Sequence, residues 1–223
     1  MYVLGGKNQA NQISNKIYYS MLNVSGAIGN WTISSVSLPE PLWGMKAICI
    51  NGFLYVAGGS ANASPNSASD KVYFSKIGID GRLSEFVETT AMPEARNGHT
   101  IAAYDSKLFV IGGFNNSGMI VNTVYYAGIN LDGTCTAWQT ATNLPINICN
   151  HATTFSNGLI TVMGGDNGTS LLKTTYYANL NDYPNFTWTL SPNELYDYVK
   201  CGQAMSYNGR ISFAGGENLS GAP

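Results

Sequence analysis

The sequence predicts an all-β fold that repeats one four-stranded antiparallel unit along the chain. The first observation is an apolar strand that ends in two adjacent glycines and occurs five times, as MYVLGG, FLYVAGG, KLFVIGG, LITVMGG and RISFAGG. The second is its spacing, since the second glycines of successive copies lie 53, 54, 52 and 51 residues apart. A period this regular makes each unit of about 50 residues one supersecondary module. The glycine pairs are Gly5 and Gly6, Gly58 and Gly59, Gly112 and Gly113, Gly164 and Gly165, and Gly215 and Gly216.

The second unit shows the order of the elements. Residues 54–57 form the apolar strand, and the loop 60–70, SANASPNSASD, is rich in the Ser, Asn and Pro residues that favour turns. Residues 71–78, KVYFSKIG, alternate apolar and polar side chains with the period of a strand. A turn at Asp80 and Gly81 leads into the strand LSEFVETTA, and residues 99–104, HTIAAY, precede the next diglycine strand. We label the strands A to D from the innermost outwards, so that HTIAAY is strand A and the diglycine strand is strand B.

Aromatic residues recur at fixed positions after the diglycines. A tyrosine begins an aromatic pair 11 to 14 residues after four of the diglycines, and a Trp or Phe follows 12 or 13 residues later. This pattern of Gly-Gly, Tyr and Trp resembles the kelch repeat, and the resemblance covers the whole chain. The stretch TVYYAGINLDGTCTAW is also similar to the variant in bacterial surface, secreted or phage-associated kelch-like proteins, which implies an extracellular, cell-surface or virion location. The aromatic motif residues are Tyr18, Tyr73, Tyr125, Tyr176, Trp31, Phe86, Trp138 and Trp188.

Units of four short strands must stack, because each unit buries only one face against each neighbour. Arranged radially, the units form a β-propeller whose blade edges are short and protected. The glycines would then let the backbone of an adjacent blade approach closely, and the aromatic residues would fill the wedge between blades. We therefore predict one kelch-type propeller domain over residues 1–223, with repeat units at 1–52, 53–106, 107–157 and 158–208 and a partial unit at 209–223.

The number of blades stays open at this stage. Four periods and an extra diglycine strand are fewer than is usual in kelch-like propellers. The chain also begins inside a strand at Met1, which we interpret as a cut end or the start of a fragment. Three arrangements would complete the propeller: further blades, self-association with another chain, or closure at four blades with one end strand placed elsewhere.

Composition limits the class of partner. Charged residues make up 11% of the chain and the net charge is −2, which excludes the clustered basic face that nucleic-acid binding requires. No apolar run approaches the ~20 residues needed to cross a bilayer, so we predict no membrane span. The sequence also contains no signal peptide. A surface rich in Asn, Ser, Thr, Gly and Tyr suits a sugar or a protein loop.

The loops between strands B and C and between strands D and A should emerge on one face, because antiparallel strands reverse direction at each turn. We predict that this face belongs to a non-catalytic binding or adhesion module that recognises a surface glycan or a protein. Aromatic and Arg side chains supply most of the binding energy at interfaces. The alternatives are a structural repeat that assembles an extracellular or virion complex and, third, a carbohydrate-active enzyme. The candidate ligand-binding residues are Trp43, Arg96, Asn97, Asn147, Tyr196, Asp197 and Tyr198.

Catalytic residues, cofactors and metals are not predicted. A glycosidase needs two carboxylates facing a cleft, and the loop candidates near one face are Glu40, Glu94 and Asp197. The two histidines, His99 and His151, occupy the same position in adjacent units. This equivalence predicts a structural hydrogen bond rather than a catalytic base or a metal ligand.

The cysteines show no short CxxC spacing, so they do not predict a zinc site. Cys149 and Cys201 both precede an inner strand in successive units, and a disulfide between them stays open against free buried thiols. Cys49 and Cys135 fall elsewhere in the repeat.

Overall fold

The structure, a computed structural model, describes residues 1–62 and 67–218 and confirms the all-β prediction. Within these residues the chain forms 17 strands in five antiparallel sheets, with one short 3-10 helix at Leu180–Asp182. Residues 63–66 of the predicted loop 60–70 and residues 219–223 of the partial unit lie outside the described residues. No helix in the described ranges is long and apolar enough to cross a membrane.

The five sheets are the successive blades of the propeller, and we number them I to V. Blades II, III and IV each contain strands A, B, C and D, with strand B paired to A on one edge and to C on the other. Within the described residues, blade I contains three strands in the B, C and D positions, and blade V contains two strands in the A and B positions. The strands of blade I are β1 (Tyr2–Leu4), β2 (Ile17–Tyr19) and β3 (Thr32–Ile33). Blade II has β4 (Lys46–Ile50), β5 (Phe53–Ala57), β6 (Val72–Lys76) and β7 (Val87–Glu88). Blade III has β8 (Thr100–Tyr104), β9 (Lys107–Ile111), β10 (Val124–Gly128) and β11 (Gln139–Ala141). Blade IV has β12 (Ala152–Ser156), β13 (Leu159–Met163), β14 (Thr175–Asn179) and β15 (Thr189–Leu190), and blade V has β16 (Gln203–Tyr207) and β17 (Arg210–Ala214).

The hydrophobic core lies between the blades. Between blades I and II, Ile17 and Leu42 pack against Val56 and Tyr73, and all four side chains are buried. Burying a side chain of this size contributes about 1.5–3 kcal/mol, so each blade is stabilised mainly by its neighbours. The inner strands β4, β8, β12 and β16 contact one another in series and line a central cavity of about 360 Å³.

The diglycine pairs bring the backbone of the following D–A loop against strand B. In blade II, a Cβ on Gly58 would lie 2.5 Å from the carbonyl oxygen of Arg96. Gly59 donates its N–H to the same carbonyl at 2.8 Å. This close approach of the two backbones requires a residue without a side chain at position 58. The same hydrogen bond recurs from Gly6 to Leu42, from Gly113 to Ile148 and from Gly165 to Val199.

Aromatic residues join consecutive blades by hydrogen bonds as well as by packing. The Tyr55 hydroxyl of blade II donates to the Gly133 carbonyl of blade III at 2.7 Å. In the opposite direction, the Trp138 indole N–H of blade III donates to the Thr90 carbonyl at 2.8 Å. The Trp188 indole of blade IV makes the equivalent bond to Thr142 at 3.1 Å.

Blade I presents its motif aromatics to solvent. Tyr18 is 36% exposed and Trp31 is 46% exposed, whereas Tyr73, which occupies the Tyr18 position in blade II, is 4% exposed. The difference arises because blade I packs against Tyr73, while no blade within the described residues packs against Tyr18. Within the described part of the chain, the same motif residue is therefore buried in blade II and partly exposed in blade I.

Candidate loop-face binding site

The loops at one end of the blades are tied together by short backbone bridges. In blade II, Trp43 donates its N–H to the Ser60 carbonyl at 3.0 Å and accepts from the Ser60 N–H at 2.9 Å. Equivalent bridges join Asn97 to Phe114, Cys149 to Asp166 and Lys200 to Glu217. Because each bridge holds a D–A loop against the B–C loop of the next blade, these loops form one surface, which we call the loop face. Its D–A loops are 40–44, 94–98, 146–150 and 193–201, and its B–C loops include 7–16, 114–122 and 166–173.

A second set of hydrogen bonds links the D–A loops to each other near the centre. Gly98 donates to the Gly44 carbonyl at 3.3 Å, Asn150 to the Gly98 carbonyl at 2.7 Å, and Cys201 to the Asn150 carbonyl at 2.7 Å. All four residues have positive φ, which is strained for Asn150 and Cys201 because they carry a Cβ. The loop face is thus a hydrogen-bonded framework rather than a set of independent loops.

Trp43 lies on the loop face between two B–C loops. Its indole N–H donates to the Asn62 carbonyl at 2.6 Å. The Lys7 ammonium lies 4.2 Å from the centroid of the Trp43 ring, within the range of a cation–π contact. These contacts hold the half-buried ring in place and leave part of it open to solvent.

Tyr196, Asp197 and Tyr198 project from the D–A loop after blade IV. Tyr196 is fully exposed and Tyr198 is 40% exposed, with the Lys173 ammonium 5.2 Å from the Tyr198 ring centroid. A cavity of about 410 Å³ opens beside this loop, and Leu195, Tyr196, Asp197, Val199, Phe213 and Asn218 contribute to its lining. Asn147 is exposed in the neighbouring D–A loop. An aromatic and a carboxylate therefore border a partly apolar cavity.

Arg96 and Asn97 are buried, contrary to their prediction as ligand-binding loop residues. Arg96 is 0% exposed and lies at the position that Leu42, Ile148 and Val199 occupy in the other D–A loops. Its guanidinium lies 2.8 Å from the Glu94 carboxylate and 5.1 Å from the Tyr125 ring centroid. Arg96 therefore stabilises the loop framework, and a ligand cannot reach its side chain in this conformation.

Asn97 is 4% exposed and lies against the preceding D–A loop. A Cβ on Gly44 would lie 2.0 Å from Asn97 Oδ1, so the amide fills the space that a side chain at residue 44 would need. The sequence places Asn97 in a polar loop, but the contact between consecutive D–A loops buries it.

The histidines lie between inner strands. His151 Nε2 is 2.8 Å from Thr100 Oγ1, as the predicted structural hydrogen bond requires. Neither ring nitrogen of His99 has a hydrogen-bond partner among the described residues. Burial, together with the positive charge of Lys46, lowers the pKa of His151 to about 3. Burial is also the main cause that lowers the pKa of His99 well below its ordinary value, with Lys46 and Arg96 adding to it.

Acid is expected to destabilise the protein through these two histidines. In the unfolded chain the histidines bind protons below about pH 6.5, whereas in the folded protein the buried rings stay neutral. The free energy of unfolding is therefore highest above that pH and decreases as the pH falls towards the pKa of the folded state. His99→Met copies Met45, which occupies the same position in blade II. Between about pH 7 and about pH 5, we expect the free energy of unfolding to decrease by about 2 kcal/mol less in this variant than in the wild type. Urea unfolding at the two pH values measures this, and equal losses in both proteins would contradict it.

The carboxylates considered for a glycosidase take part in loop contacts. Glu40 accepts a hydrogen bond from the Tyr73 hydroxyl at 2.8 Å, and Glu94 pairs with Arg96 and accepts from Asn115 Nδ2 at 3.0 Å. Asp197 remains exposed and accepts from the N–H of Tyr198 at 2.8 Å. Two of the three candidates therefore hold the loops in place.

The four cysteines are free thiols, so Cys149 and Cys201 form no disulfide in the structure. Burial raises the pKa of Cys135 to about 11 and that of Cys149 to about 12, which keeps both thiols protonated. In the described ranges, no group of three or more His, Cys, Asp or Glu side chains could hold a metal ion.

Sequence reasoning missed the residues that support the exposed aromatics. Lys7 and Lys173 lie in B–C loops and reach Trp43 and Tyr198 across the loop face. Phe213 belongs to a repeated strand but borders the cavity beside Tyr196. No spacing in the sequence signals these contacts, because each joins residues from different parts of the chain.

Comparison with known proteins identifies the family. The KLHDC2/KLHL20/DRC7 Kelch-repeats domain matches residues 1–216. The chain is 25% identical to human Kelch-like protein 38 over 167 residues, which are 74% of this chain and 26% of that protein. It is 27% identical to human Kelch domain-containing protein 3 over 123 residues, which are 52% of this chain and 31% of that protein. The chain thus spans about a quarter to a third of the length of these relatives.

Among solved structures, that of YjhT superposes with a TM-score of 0.75 over 99% of this chain and 75% of the other, at 16% sequence identity. This likeness concerns the fold. The match to the family model agrees with the diglycine strands and with the hydrogen bonds that they make between blades. The chain belongs to the kelch-repeat family.

Proposed function

We propose that this chain is a non-catalytic binding module whose loop face recognises a protein partner. The observation that carries the proposal is the hydrogen-bonded loop framework, which presents the half-buried ring of Trp43 and the exposed rings of Tyr196 and Tyr198. Loops on a rigid scaffold are the usual place for binding, and aromatic residues held before binding lose little entropy when a partner arrives. Kelch-repeat domains generally mediate protein–protein interactions, which supports the same class of partner.

The charges of the loop face suit a partner with few charges of its own. Lys7 lies against Trp43, Lys173 lies 2.8 Å from Glu194, and Arg96 is buried against Glu94. Asp197 and Asn147 supply exposed polar groups beside the aromatics. A protein loop with apolar and amide side chains fits this surface, and a surface glycan is the alternative ligand because sugars also stack on aromatic rings. An extracellular, cell-surface or virion location is part of this proposal.

Panning a peptide-display library on the immobilised protein, beside a glycan array, tests the proposal. We expect the wild type to enrich peptides, and the Trp43→Ala/Tyr198→Ala variant to bind them at least about tenfold more weakly, which corresponds to about 1.4 kcal/mol. Glycan binding without peptide binding would contradict a protein partner and favour a sugar as the ligand.

The matched control lies on the opposite face. Ile79 and Leu131 are fully exposed apolar residues in the turns between strands C and D. Ile79→Ser with Leu131→Ser should leave binding unchanged, because these turns point away from the loop face. Equal binding by the loop-face variant, with an unchanged circular dichroism spectrum, would contradict the proposal.

A further inference from the structure

The B–C loop of blade III is a tight turn closed by one asparagine. Asn115 Oδ1 accepts hydrogen bonds from the backbone N–H groups of Ser117 and Met119, both at 3.0 Å. The backbone N–H of Asn115 donates to the Met119 carbonyl at 2.9 Å. Asn8 and Asn167 close the B–C loops of blades I and IV with side-chain bonds of the same kind. These bonds give the turn its shape before any partner arrives.

The turn of blade III presents an apolar side chain, Met119, on the loop face. Gln12 and Ser170 occupy its position in blades I and IV, because each donates its N–H to the capping asparagine of its own loop. Met119 is 59% exposed. Methionine is unbranched and its sulfur is polarisable, so it adapts to apolar surfaces of different shapes. Blade III therefore offers a contact that the turns of blades I and IV replace by a polar side chain.

A buried charge pair lies behind this turn. Asn115 is 5% exposed, and its Nδ2 donates to Glu94 Oε1 at 3.0 Å. The other carboxylate oxygen of Glu94 lies 2.8 Å from Arg96 Nη2. Arg96 is fixed in turn by the Ala95 carbonyl, which accepts from Nη1 at 2.8 Å, and by the ring of Tyr125. Glu94 thus joins a fully buried guanidinium to the asparagine that closes the turn.

Blade IV carries the same turn without the charge pair. Ile146 and Ile148 stand in its D–A loop where blade III has Glu94 and Arg96. Its capping residue, Asn167, is half-buried rather than buried. The charge pair is therefore an addition of blade III to a turn that also forms without it.

We propose that Arg96 and Glu94 position the Asn115 turn so that Met119 packs on an apolar side chain of the protein partner. Arg96 acts through Glu94 and Asn115 and does not touch the partner. A turn that is ordered before binding loses less entropy when the partner arrives. This inference rests on the proposed function, to which it adds one contact residue and the residues that order it.

Amide exchange measured by NMR tests the positioning step without a ligand. Arg96→Met keeps the volume of the side chain but frees Glu94 to turn towards water, and it should speed exchange of the Met119 N–H at least about fivefold. Glu94→Gln should speed it at least about tenfold, because the new amide cannot accept from both Arg96 and Asn115.

A rescue separates positioning from a general loss of structure. In Glu94→Gln/Asn115→Asp, the new glutamine can accept from Arg96 and donate to the new carboxylate, which still caps the turn. The exchange rate of the Met119 N–H should return to within about threefold of the wild type. Asn167→Asp is the matched control in blade IV and should not speed exchange of the Ser170 N–H, because Ile146 replaces Glu94 there.

Affinity for a peptide that the wild type enriches from the display library tests the recognition step. Met119→Ser and Glu94→Gln should each weaken binding at least about fivefold, and the double variant should recover the loss due to Glu94→Gln. Met119→Leu keeps an apolar side chain and should weaken binding by less than about threefold. Fluorescence anisotropy with the labelled peptide measures these affinities.

The outcomes distinguish this inference from the proposed function. Wild-type-like exchange of the Met119 N–H in Arg96→Met and Glu94→Gln, or exchange that the double variant does not restore, would overturn the positioning role. Peptide binding that is equal in Met119→Ser and the wild type would overturn the contact and leave the proposed function standing. If the wild type enriches no peptide, the proposed function and the Met119 contact fail together, while the exchange rates still decide the positioning role.

Discussion

Gly112→Ala is expected to destabilise the protein by about 4 kcal/mol or more, whereas Gly215→Ala at the same position of blade V should cost about 1–2 kcal/mol. Both glycines have positive φ, +59° and +68°, so both substitutions strain the backbone to a similar extent. They differ in their surroundings. A Cβ on Gly112 would lie 2.5 Å from the Ile148 carbonyl oxygen, but a Cβ on Gly215 would have no described atom within 4 Å.

Urea unfolding followed by circular dichroism measures both variants, and the difference between them isolates the contact between blades. A second matched pair uses the following glycine, where φ is +95° at both Gly6 and Gly113. A Cβ on Gly113 would lie 2.8 Å from the Asn97 carbonyl oxygen, and one on Gly6 would meet no atom of the described residues within 4 Å. Equal losses in the free energy of unfolding within both pairs would show that the positive φ alone accounts for the need for glycine at these positions.

Arg96→Met is expected to leave the free energy of unfolding within about 1 kcal/mol of the wild type, whereas Arg96→Ala should lower it by about 3 kcal/mol. Methionine keeps the volume of the long side chain at a position where other blades carry Leu42 or Ile148. Both substitutions remove the partner of Glu94, whose side chain is 38% exposed and stays hydrated, but alanine also leaves a cavity. The Arg96 Nε atom also has no hydrogen-bond partner among residues 1–62 and 67–218, so part of the cost of burying the guanidinium is not recovered.

The reverse substitution is the control. Ile148→Arg places a guanidinium at the same position of blade III, where Ile146 replaces the acidic partner that Glu94 provides. We expect it to cost about 3 kcal/mol or more, because an unpaired buried charge is strongly destabilising. Thermal and urea unfolding compare the three variants, and a large loss for Arg96→Met would show that the Arg96–Glu94 pair itself stabilises the propeller.

Arg96 also shows where sequence reasoning about the site failed. Its charge indicated an exposed loop residue, but alignment of the repeats would have placed it with Leu42, Ile148 and Val199, which are buried or half-buried. The repeat was the better guide because the backbone position, set by the hydrogen bond from Gly59, decides where the side chain points. Trp43 and Tyr196 are surface residues on the loop face, but their roles in binding remain predictions.

The sequence by itself determined the repeated strands, the blade order and the loops that share one face, because the diglycine spacing, the strand periodicity and the turn residues are local and recur. Only the tertiary structure decided which copies of a motif are buried. Within the described residues Tyr73 is 4% exposed and Tyr18 is 36% exposed, although both follow a diglycine in the same way. Burial depends on which blade packs alongside, and a repeat read along the chain carries no information about that neighbour.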